Sequence, residues 1–328
     1  MIRPAGRTGA VLAALLAVLV LAGCARDARP AGADVGATRV VEHVMGSTEV
    51  PAEPQRVVLA FPAFLDTALE VGVVPVAAPR SRSGFPAYLG SETAQIADLG
   101  AYDEGDIDPE RIGQQNPDLI LFNQSPDQEL DIARYEQLNA IAPAVPIETG
   151  QQNFRHVAEQ VAEALGRTDQ LREAAARYED RVERVREALA AVPEADLPVS
   201  LVRLRADHVR VMTANNDAGQ VIASVGLNHA PPIPGAELTG GAAGTKHLFY
   251  ETSLELLPEA LGDYVFAYSS EDDVLESATR LPVWQTIPAV QQGTMFEVDF
   301  EVWMRGQGYR ATHAMLDDLT SAYGVQVD

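Results

Sequence analysis

Hydrophobic residues follow two alternating spacings along the first half of the chain. Short apolar runs bounded by turn residues, at 56–60, 73–78, 119–122 and 145–147, predict buried β-strands. Helix-period segments lie between them at 64–71 and 108–115, and the second begins with Asp108 and Pro109, a typical N-cap and N1 pair. This βαβ rhythm predicts a parallel sheet with helices on both faces.

A long amphipathic helix is predicted next. Apolar residues spaced by three or four predict one helix over 154–165, ending at Gly166, and a second over 168–193. About 25 residues at about 1.5 Å each give a rod of about 37 Å, long enough to join two domains. A coiled-coil seam or an ordinary core helix would show the same stripe, so these alternatives stay open.

The second half returns to an α/β pattern. Residues 199–205 and 209–213 predict a hairpin, 264–268 and 295–300 predict strands, and 220–225, 253–261 and 309–323 predict helices. We therefore predict an α/β fold with two Rossmann-like lobes, at 38–167 and 194–328, joined by the single long helix 168–193. A ligand cleft between the lobes is expected, because ligands bind beyond the carboxyl ends of such strands.

The N-terminus carries an export pattern. Arg3 and Arg7 precede an apolar run at 10–22 that is too short to span a membrane, and the LAGC at 21–24 resembles the bacterial lipobox. We predict a lipoprotein signal peptide at 1–23, lipidation of Cys24 and a flexible tether over 24–37. An ordinary signal peptide followed by an accidental cysteine is the alternative. Because Cys24 is the only cysteine, no disulfide is expected.

The net charge of the chain limits the classes of partner that can be expected. The chain has 47 acidic and 24 basic residues, for a formal net charge of −23, so nucleic acid is not an expected partner. Lys246 is the only lysine. Arginine is thus the default cation, and a single arginine is a weak functional signal.

Several motifs resemble one family in their order and spacing: GSTEVP at 46–51, PQRVV at 54–58, DIDPERI at 106–112, NPDLI at 116–120 and the segment 308–319. From about Thr38 to Leu319 the chain is similar to the substrate-binding proteins of iron-siderophore ABC importers, whose relatives carry cobalamin and haem. Together with the lipobox, these motifs identify the chain as a member of that family.

The resemblance implies a class III periplasmic binding protein, in which the linking helix limits hinge motion and closure on ligand is small. It implies neither catalysis nor a cofactor. The ligand would be a ferric siderophore, captured outside the membrane by a monomer anchored through Cys24. The partner would be an ABC importer permease driven by a cytoplasmic ATPase.

Arginines and aromatic residues are the candidate ligand contacts in the second lobe. Arg203 and Arg205 stand two apart on a predicted strand, so they share one face about 7 Å apart, and guanidinium groups suit catecholate or carboxylate oxygens. The resemblance implies ligand-facing arginines on this strand, with Arg205 preferred. Trp303 and Arg305 follow the predicted strand 295–300 and could cradle a chelate. Ion pairing of the arginines and core packing of Trp303 are the alternatives.

The first lobe offers a second group of candidates. A loop after the predicted strand 73–78 contains Arg80, Arg82, Phe85 and Tyr88, where cleft residues belong. Three further residues share this kind of position, at or beyond the end of a predicted strand: Asn123, Gln124 and Tyr268.

Glu110 and Glu255 occupy equivalent local settings, each in the first turn of a predicted helix. The resemblance implies that one exposed glutamate per lobe docks onto permease arginines, and these are the matching positions. A first-turn carboxylate also stabilises its own helix by about 0.3–1 kcal/mol, so capping electrostatics is the alternative.

Two other classes of function remain as rivals. A protein for a bare metal ion would need three or four clustered ligands, but the six histidines, at 43, 156, 208, 229, 247 and 313, are scattered, so no direct metal ligand is predicted. A lipid-anchored hydrolase would need a nucleophile motif, and neither G-x-S-x-G, H-E-x-x-H nor a Walker loop occurs. The sequence does not choose between catecholate, hydroxamate and carboxylate siderophores, and cobalamin and haem stay open.

Overall fold

A computed structural model describes residues 36–102, 107–126, 128–150, 153–240, 247–271 and 273–327. The predicted signal peptide, Cys24 and nearly all of the predicted tether lie outside these ranges. None of the helices within them combines the length and the apolar character that crossing a bilayer requires.

The first half contains a five-stranded parallel sheet in the order β5-β4-β3-β6-β7, preceded by an antiparallel hairpin of β1 and β2. From β3 the chain adds β4 and β5 on one side of the sheet and then β6 and β7 on the other. The boundary between β3 and β6 is therefore the switch point, where ligands bind in such sheets. The strands are β1 Thr38–His43, β2 Gly46–Pro51, β3 Val57–Leu59, β4 Ala77–Arg80, β5 Ala97–Ala101, β6 Leu119–Gln124 and β7 Ala144–Glu148. The helices are α1 Phe64–Glu70, α2 Pro109–Gly113, α3 Ile132–Asn139 and α4 Phe154–Leu165.

Both faces of this sheet are buried. Along β6, Leu119 and Leu121 face one hydrophobic core, whereas Ile120 and Phe122 face another. A strand buried on both faces has no polar side to alternate with, which explains the continuous apolar runs in the sequence.

The long helix predicted from the sequence is present as α5, Thr168–Leu189, four residues shorter than expected. Gly166, at φ 69°, ends α4 in the left-handed conformation that favours glycine and turns the chain into α5. The buried stripe of α5, which includes Tyr178, Val182 and Val185, belongs to one hydrophobic core that also contains strands of both halves. The helix therefore packs against both halves of the molecule.

The second half forms a six-stranded mixed sheet in the order β10-β11-β9-β8-β12-β13. Four strands, β8, β11, β12 and β13, run in the same direction, because β9 is antiparallel to both β8 and β11. The strands are β8 Val199–Leu204, β9 Val209–Met212, β10 Leu238–Thr239, β11 Phe249–Thr252, β12 Tyr264–Ser269 and β13 Met295–Glu297. The helices are α6 Asp217–Ser224, α7 Leu257–Ala260, α8 Val274–Thr279, α9 Pro288–Gln292, α10 Phe300–Trp303 and α11 Tyr309–Ala322.

Several predicted boundaries were wrong. Strand β4 begins at Ala77 rather than residue 73, and the predicted helix 253–261 is a 3₁₀ turn, Leu254–Leu256, followed by α7. The predicted strand 295–300 ends at Glu297, because the Asp299 carboxylate caps the backbone N–H groups of Glu301 and Val302 and starts α10. The sequence analysis also missed the β1–β2 hairpin and the shorter elements, including β5, α3, α8 and α9.

The last helix, α11, docks onto the first half of the chain. Gly308, which has no side chain, occupies its N-cap, and the buried carboxylate of Asp66 in α1 accepts the backbone N–H groups of Arg310 (3.1 Å) and Ala311 (2.9 Å) instead. An added Cβ at Gly308 would lie 2.1 Å from Asp66 Oδ1, so only glycine allows this approach. Arg310 also reaches the carbonyl oxygens of Leu89 and Leu69. The two halves are thus joined by a capped helix as well as by α5.

Two buried carboxylates at contacts between the halves predict an unusual pH dependence. Burial raises the pKa of Asp66 and of Asp217, which accepts the Phe154 N–H, from 3.8 to about 6. A carboxyl whose pKa is higher in the folded than in the unfolded state binds its proton more tightly when folded, so stability rises as pH falls through about 6.

We expect the free energy of unfolding to increase between pH 7.5 and pH 5 by about 1.4 kcal/mol for each of the two groups. Urea unfolding followed by circular dichroism at both pH values would measure it. Asp66→Asn and Asp217→Asn should each reduce the pH slope. A wild-type stability that falls between pH 7.5 and pH 5 would contradict the assignment.

Candidate functional site

A cavity of about 1070 Å³ lies between the two halves, beyond the carboxyl ends of β12 and β13. Its walls include Arg82 and Ser83 from the first half, and Ser270, Phe300 and Arg305 from the second. Since the carboxyl edges of both sheets contribute to it, this is the ligand cleft that the topology predicts.

A smaller cavity of about 220 Å³ adjoins the cleft and shares Glu301 and Arg305 with it. Its lining is largely aromatic on the side of the first half, with Phe61, Phe85, Tyr88 and Tyr102. The Phe61 ring packs edge-on against Tyr102, with ring centroids 4.9 Å apart. This aromatic cavity suits a flat or apolar part of a ligand.

Phe300 is the centre of a cationic cluster at the cleft. The guanidinium carbons of Arg203 and Arg305 each lie 5.2 Å from the centroid of its ring. Arg203 also donates from Nη2 to Ser270 Oγ at 2.8 Å, so this arginine contacts two residues that line the cleft. The ring holds two cations side by side where a ligand would enter.

Arg203 lies in a crowded cationic environment. It has no ion pair within the described ranges, and its Nε is buried without a hydrogen-bond partner. Burial and the neighbouring cations Arg205 and Arg210 lower the pKa of Arg203, whereas Tyr268 and Glu271 raise it in part. An anion beside this guanidinium would offset the burial and the repulsion between the cations.

Arg205, the preferred candidate from the sequence, has a different environment. It forms an ion pair with Glu271 and lines a separate cavity of about 300 Å³ with Leu254 and Leu281. Its charge is therefore already balanced by a carboxylate, unlike that of Arg203, which has no ion pair within the described ranges.

The first-lobe candidates separate into two groups. Arg80, the last residue of β4, pairs through Nε with Asp98 at 2.7 Å and lines the aromatic cavity with Phe85 and Tyr88. Burial raises the pKa of Tyr88, as do nearby carboxylates, so its hydroxyl stays protonated. Arg82 is exposed and lines the large cleft. All four residues of this predicted loop thus reach one of the two cavities.

Trp303 is not placed at the cleft surface, contrary to the expectation from the sequence. Its side chain is 3 % exposed, its ring stacks on Phe266 with centroids 5.1 Å apart, and Nε1 donates to Asp318 at 2.7 Å. Because α10 begins at Phe300, Trp303 falls on the helix face that packs into the core. Phe300 takes the cleft position instead.

Three further residues placed at strand ends do not line either cavity. Tyr268 is 1 % exposed and donates to Met304 Sδ, and burial raises its pKa. The Gln124 amide is engaged by backbone groups of its own loop, including the Asp131 N–H. Asn123 precedes it at the end of β6 and lines neither cavity.

Phe300 was missed because residues 295–300 were assigned to one strand. The signal was present in the sequence: Asp299 followed two residues later by Glu301 is an N-terminal helix pattern, which ends the strand before Phe300 and turns its side chain towards the loop.

Glu110 and Glu255 lie on the cleft-side edges of the two sheets, one in each half. Glu110 is exposed in the first turn of α2, after β5, and Glu255 is exposed in the 3₁₀ turn after β11. Each glutamate thus follows the carboxyl end of a strand, and neither lines the cleft. A hydrogen bond from Ser253 and the local backbone lower the pKa of Glu255, so it stays ionised.

Carboxylates outnumber arginines around the cleft, but many of them are engaged. Glu271 pairs with Arg205, Glu276 pairs with Arg280 and Asp299 caps α10. In the part of the chain that the structure describes, no three His, Cys, Asp or Glu side chains are grouped as a metal site.

Comparison with known proteins gives consistent results. The family model described as "Periplasmic binding protein" matches residues 57–302. The chain is 28 % identical to the probable siderophore-binding lipoprotein YfiY of Bacillus subtilis, covering 94 % of this chain and 95 % of that protein. It is 24 % identical to the Fe(3+)-citrate-binding protein YfmC of the same organism, covering 93 % of each.

Among solved structures, Staphylococcus aureus SirA complexed with staphyloferrin B matches with a TM-score of 0.69 and 23 % identity, covering 88 % of this chain and 99 % of that one. This likeness shows the fold, a class III periplasmic binding protein with two α/β lobes. The family model covers most of the chain, including both sheets and the helix between them. The chain therefore belongs to the periplasmic binding protein family.

Proposed function

We propose that this protein captures a ferric siderophore outside the cytoplasm and delivers it to the permease of an ABC importer. It acts as a binding protein, with iron as part of the cargo and no cofactor of its own. Its similarity to a siderophore-binding lipoprotein and to a ferric-citrate-binding protein along nearly the whole chain supports this assignment.

The observation that carries the proposal is the pairing of Arg203 and Arg305 around Phe300 at the wall of a 1070 Å³ cleft. Arg203, which forms no ion pair within the described ranges, suits the anionic oxygens of catecholate, carboxylate or hydroxamate groups around iron. Phe300 and the aromatic cavity offer apolar surface to the arms of such a chelate. Arg305, Arg82, Arg80 and Tyr88 complete the proposed contacts, and Arg205 supports the site from its pair with Glu271.

Delivery requires a stable position at the membrane and a docking surface. We propose that lipid on Cys24 anchors a monomer at the extracytoplasmic face, and that Glu110 and Glu255 dock onto basic residues of the permease. The lipobox-like LAGC and the name of the lipoprotein relative support the anchor. The exposed positions of both glutamates at the cleft edges support the docking role.

A binding panel tests the proposal. Protein beginning at Ala25 would be titrated with ferric catecholates, ferric hydroxamates, ferric citrate, haem, cobalamin and unchelated ferric ion, and retained iron, or cobalt for cobalamin, would be measured after equilibrium dialysis. We expect saturable submicromolar binding of at least one ferric chelate class. Binding of haem or cobalamin alone would overturn the iron-siderophore assignment, and binding of free ferric ion without a chelator would favour a bare-metal carrier.

A further inference from the structure

A second apolar cavity, of about 250 Å³, lies in the second lobe between β12, β13 and the helices α8 and α9. Small residues create it. On β12, the Val265 side chain packs into the core on this face of the sheet. Two residues nearer the cleft, the small Ala267 side chain leaves space, and Ala289 in α9 lines the same space. Leu275 and Trp284 form much of the remaining wall.

This cavity adjoins the ligand cleft. The two cavities share Leu275, Thr279 and Glu297 as lining residues. Thr279 and Glu297 are exposed, so the shared rim is accessible from the cleft side. A ligand held at Phe300 in the cleft could extend a flexible arm across Leu275 into the cavity.

The lining is largely apolar and open at its rim, so an apolar group bound there would be removed from water. A cavity of about 150 Å³ accommodates benzene, so about 250 Å³ has room for roughly eight carbon atoms.

We propose that this cavity, named here the acyl pocket, binds an apolar arm of the cleft ligand, so that the protein takes ferric chelates bearing a medium-length alkyl or acyl chain. The inference rests on the proposed function, because the arm belongs to the same chelate. It adds a ligand class: amphiphilic siderophores, whose iron-binding head lies at Phe300 and whose chain lies against Trp284.

The test compares chelates that share one head group. A linear ferric trihydroxamate with a terminal amine would be measured beside the same chelate N-acylated with two or eight carbons. Each buried methylene strengthens binding roughly fourfold before the cost of ordering the chain. We expect the eight-carbon chelate to bind at least tenfold more tightly than the two-carbon chelate, and to shift the fluorescence of Trp284 in a Trp303→Phe background.

Variants then locate the arm. Ala289→Leu fills the acyl pocket, and Val290→Phe narrows it from a half-buried position that does not line the cleft. Both should abolish the advantage of the eight-carbon chain while leaving the affinity for the two-carbon chelate within about twofold of wild type. Ala176→Leu, an equal change on the exposed side of α5, is the matched control and should keep the advantage. Should Ala289→Leu fail to fold, Val290→Phe carries the test alone.

An iron-free probe separates this inference from the proposed function. In the Trp303→Phe background, octanohydroxamic acid should quench Trp284, and adding Ala289→Leu or Val290→Phe should prevent the quenching. If it binds in this way but no ferric chelate binds, the acyl pocket stands and the siderophore function falls. If the ferric chelates bind equally well with either chain and the probe leaves Trp284 unchanged, the siderophore function stands and the acyl pocket is overturned.

Discussion

Reversing the charge of Glu110 and Glu255 together should reduce siderophore-dependent iron uptake to background while leaving the affinity for the ferric chelate unchanged. Each glutamate is exposed at the edge of its lobe and lies outside both ligand cavities. Arginine at these positions would face the basic residues proposed on the permease and turn two attractions into repulsions, which cost several kcal/mol at a complementary interface. Radiolabelled iron uptake in cells, with dialysis binding of the purified variants, measures both quantities.

The matched control is Glu187→Arg, on the exposed side of α5, where the same change of charge should leave uptake intact. Uptake at the wild-type level in the double variant would remove Glu110 and Glu255 from the docking surface. A weakened chelate affinity would instead place them at the ligand. Each single variant should show an intermediate loss, because the two lobes dock independently.

Removing the guanidinium of Arg203 should have the largest effect on ligand affinity. A charge-assisted hydrogen bond to an anionic chelate contributes about 2 kcal/mol, so Arg203→Ala should raise the Kd roughly 30-fold. Phe300→Ala removes the ring that positions both cations and should weaken binding by about fivefold, from about 1 kcal/mol of cation–π interaction. Equilibrium dialysis with the chelate class identified by the panel measures both.

Arg184→Ala is the control for the loss of a cation, because Arg184 pairs with Asp180 on the exposed side of α5. Its Kd should stay within about twofold of wild type. An Arg203→Ala variant that binds as tightly as wild type would shift the site to Arg82 and Arg80 in the first lobe. Arg205→Ala should have a smaller effect than Arg203→Ala, because Glu271 already balances its charge.

The fold could be predicted wherever burial determines the pattern. Strands β3 and β6 are apolar on both faces, and α4 and α5 carry regular stripes ended by glycine or proline signals, so their types and approximate limits follow from the sequence. Short elements at the sheet margins, such as α9 with five residues and β10 with two, have too few positions to show a period. They form because tertiary contacts hold them.

The candidate site was predictable only in part, because the residue at which a helix or strand begins decides which side chains reach the site. Arg203 was found because the resemblance implies ligand-facing arginines on its strand, and Arg305 because it follows a predicted strand. Trp303 and Phe300 exchanged roles because a helix begins at Phe300, after the N-cap Asp299, where the predicted strand was still expected to continue. The ion pair of Arg205 with Glu271 joins residues 66 positions apart, and local sequence does not reveal such a partner.

The capping of α11 by Asp66 also constrains the order in which the molecule can form. These two partners lie 244 and 245 positions apart, so the first lobe lacks one of its packing helices until the last residues of the chain have been synthesised. Contacts between residues so far apart in sequence are slow to form, and until they form α1 lacks the surface of α11 that covers it. The two lobes are therefore not independent folding units, and a fragment that ends after α5 would expose the apolar face that α11 normally covers.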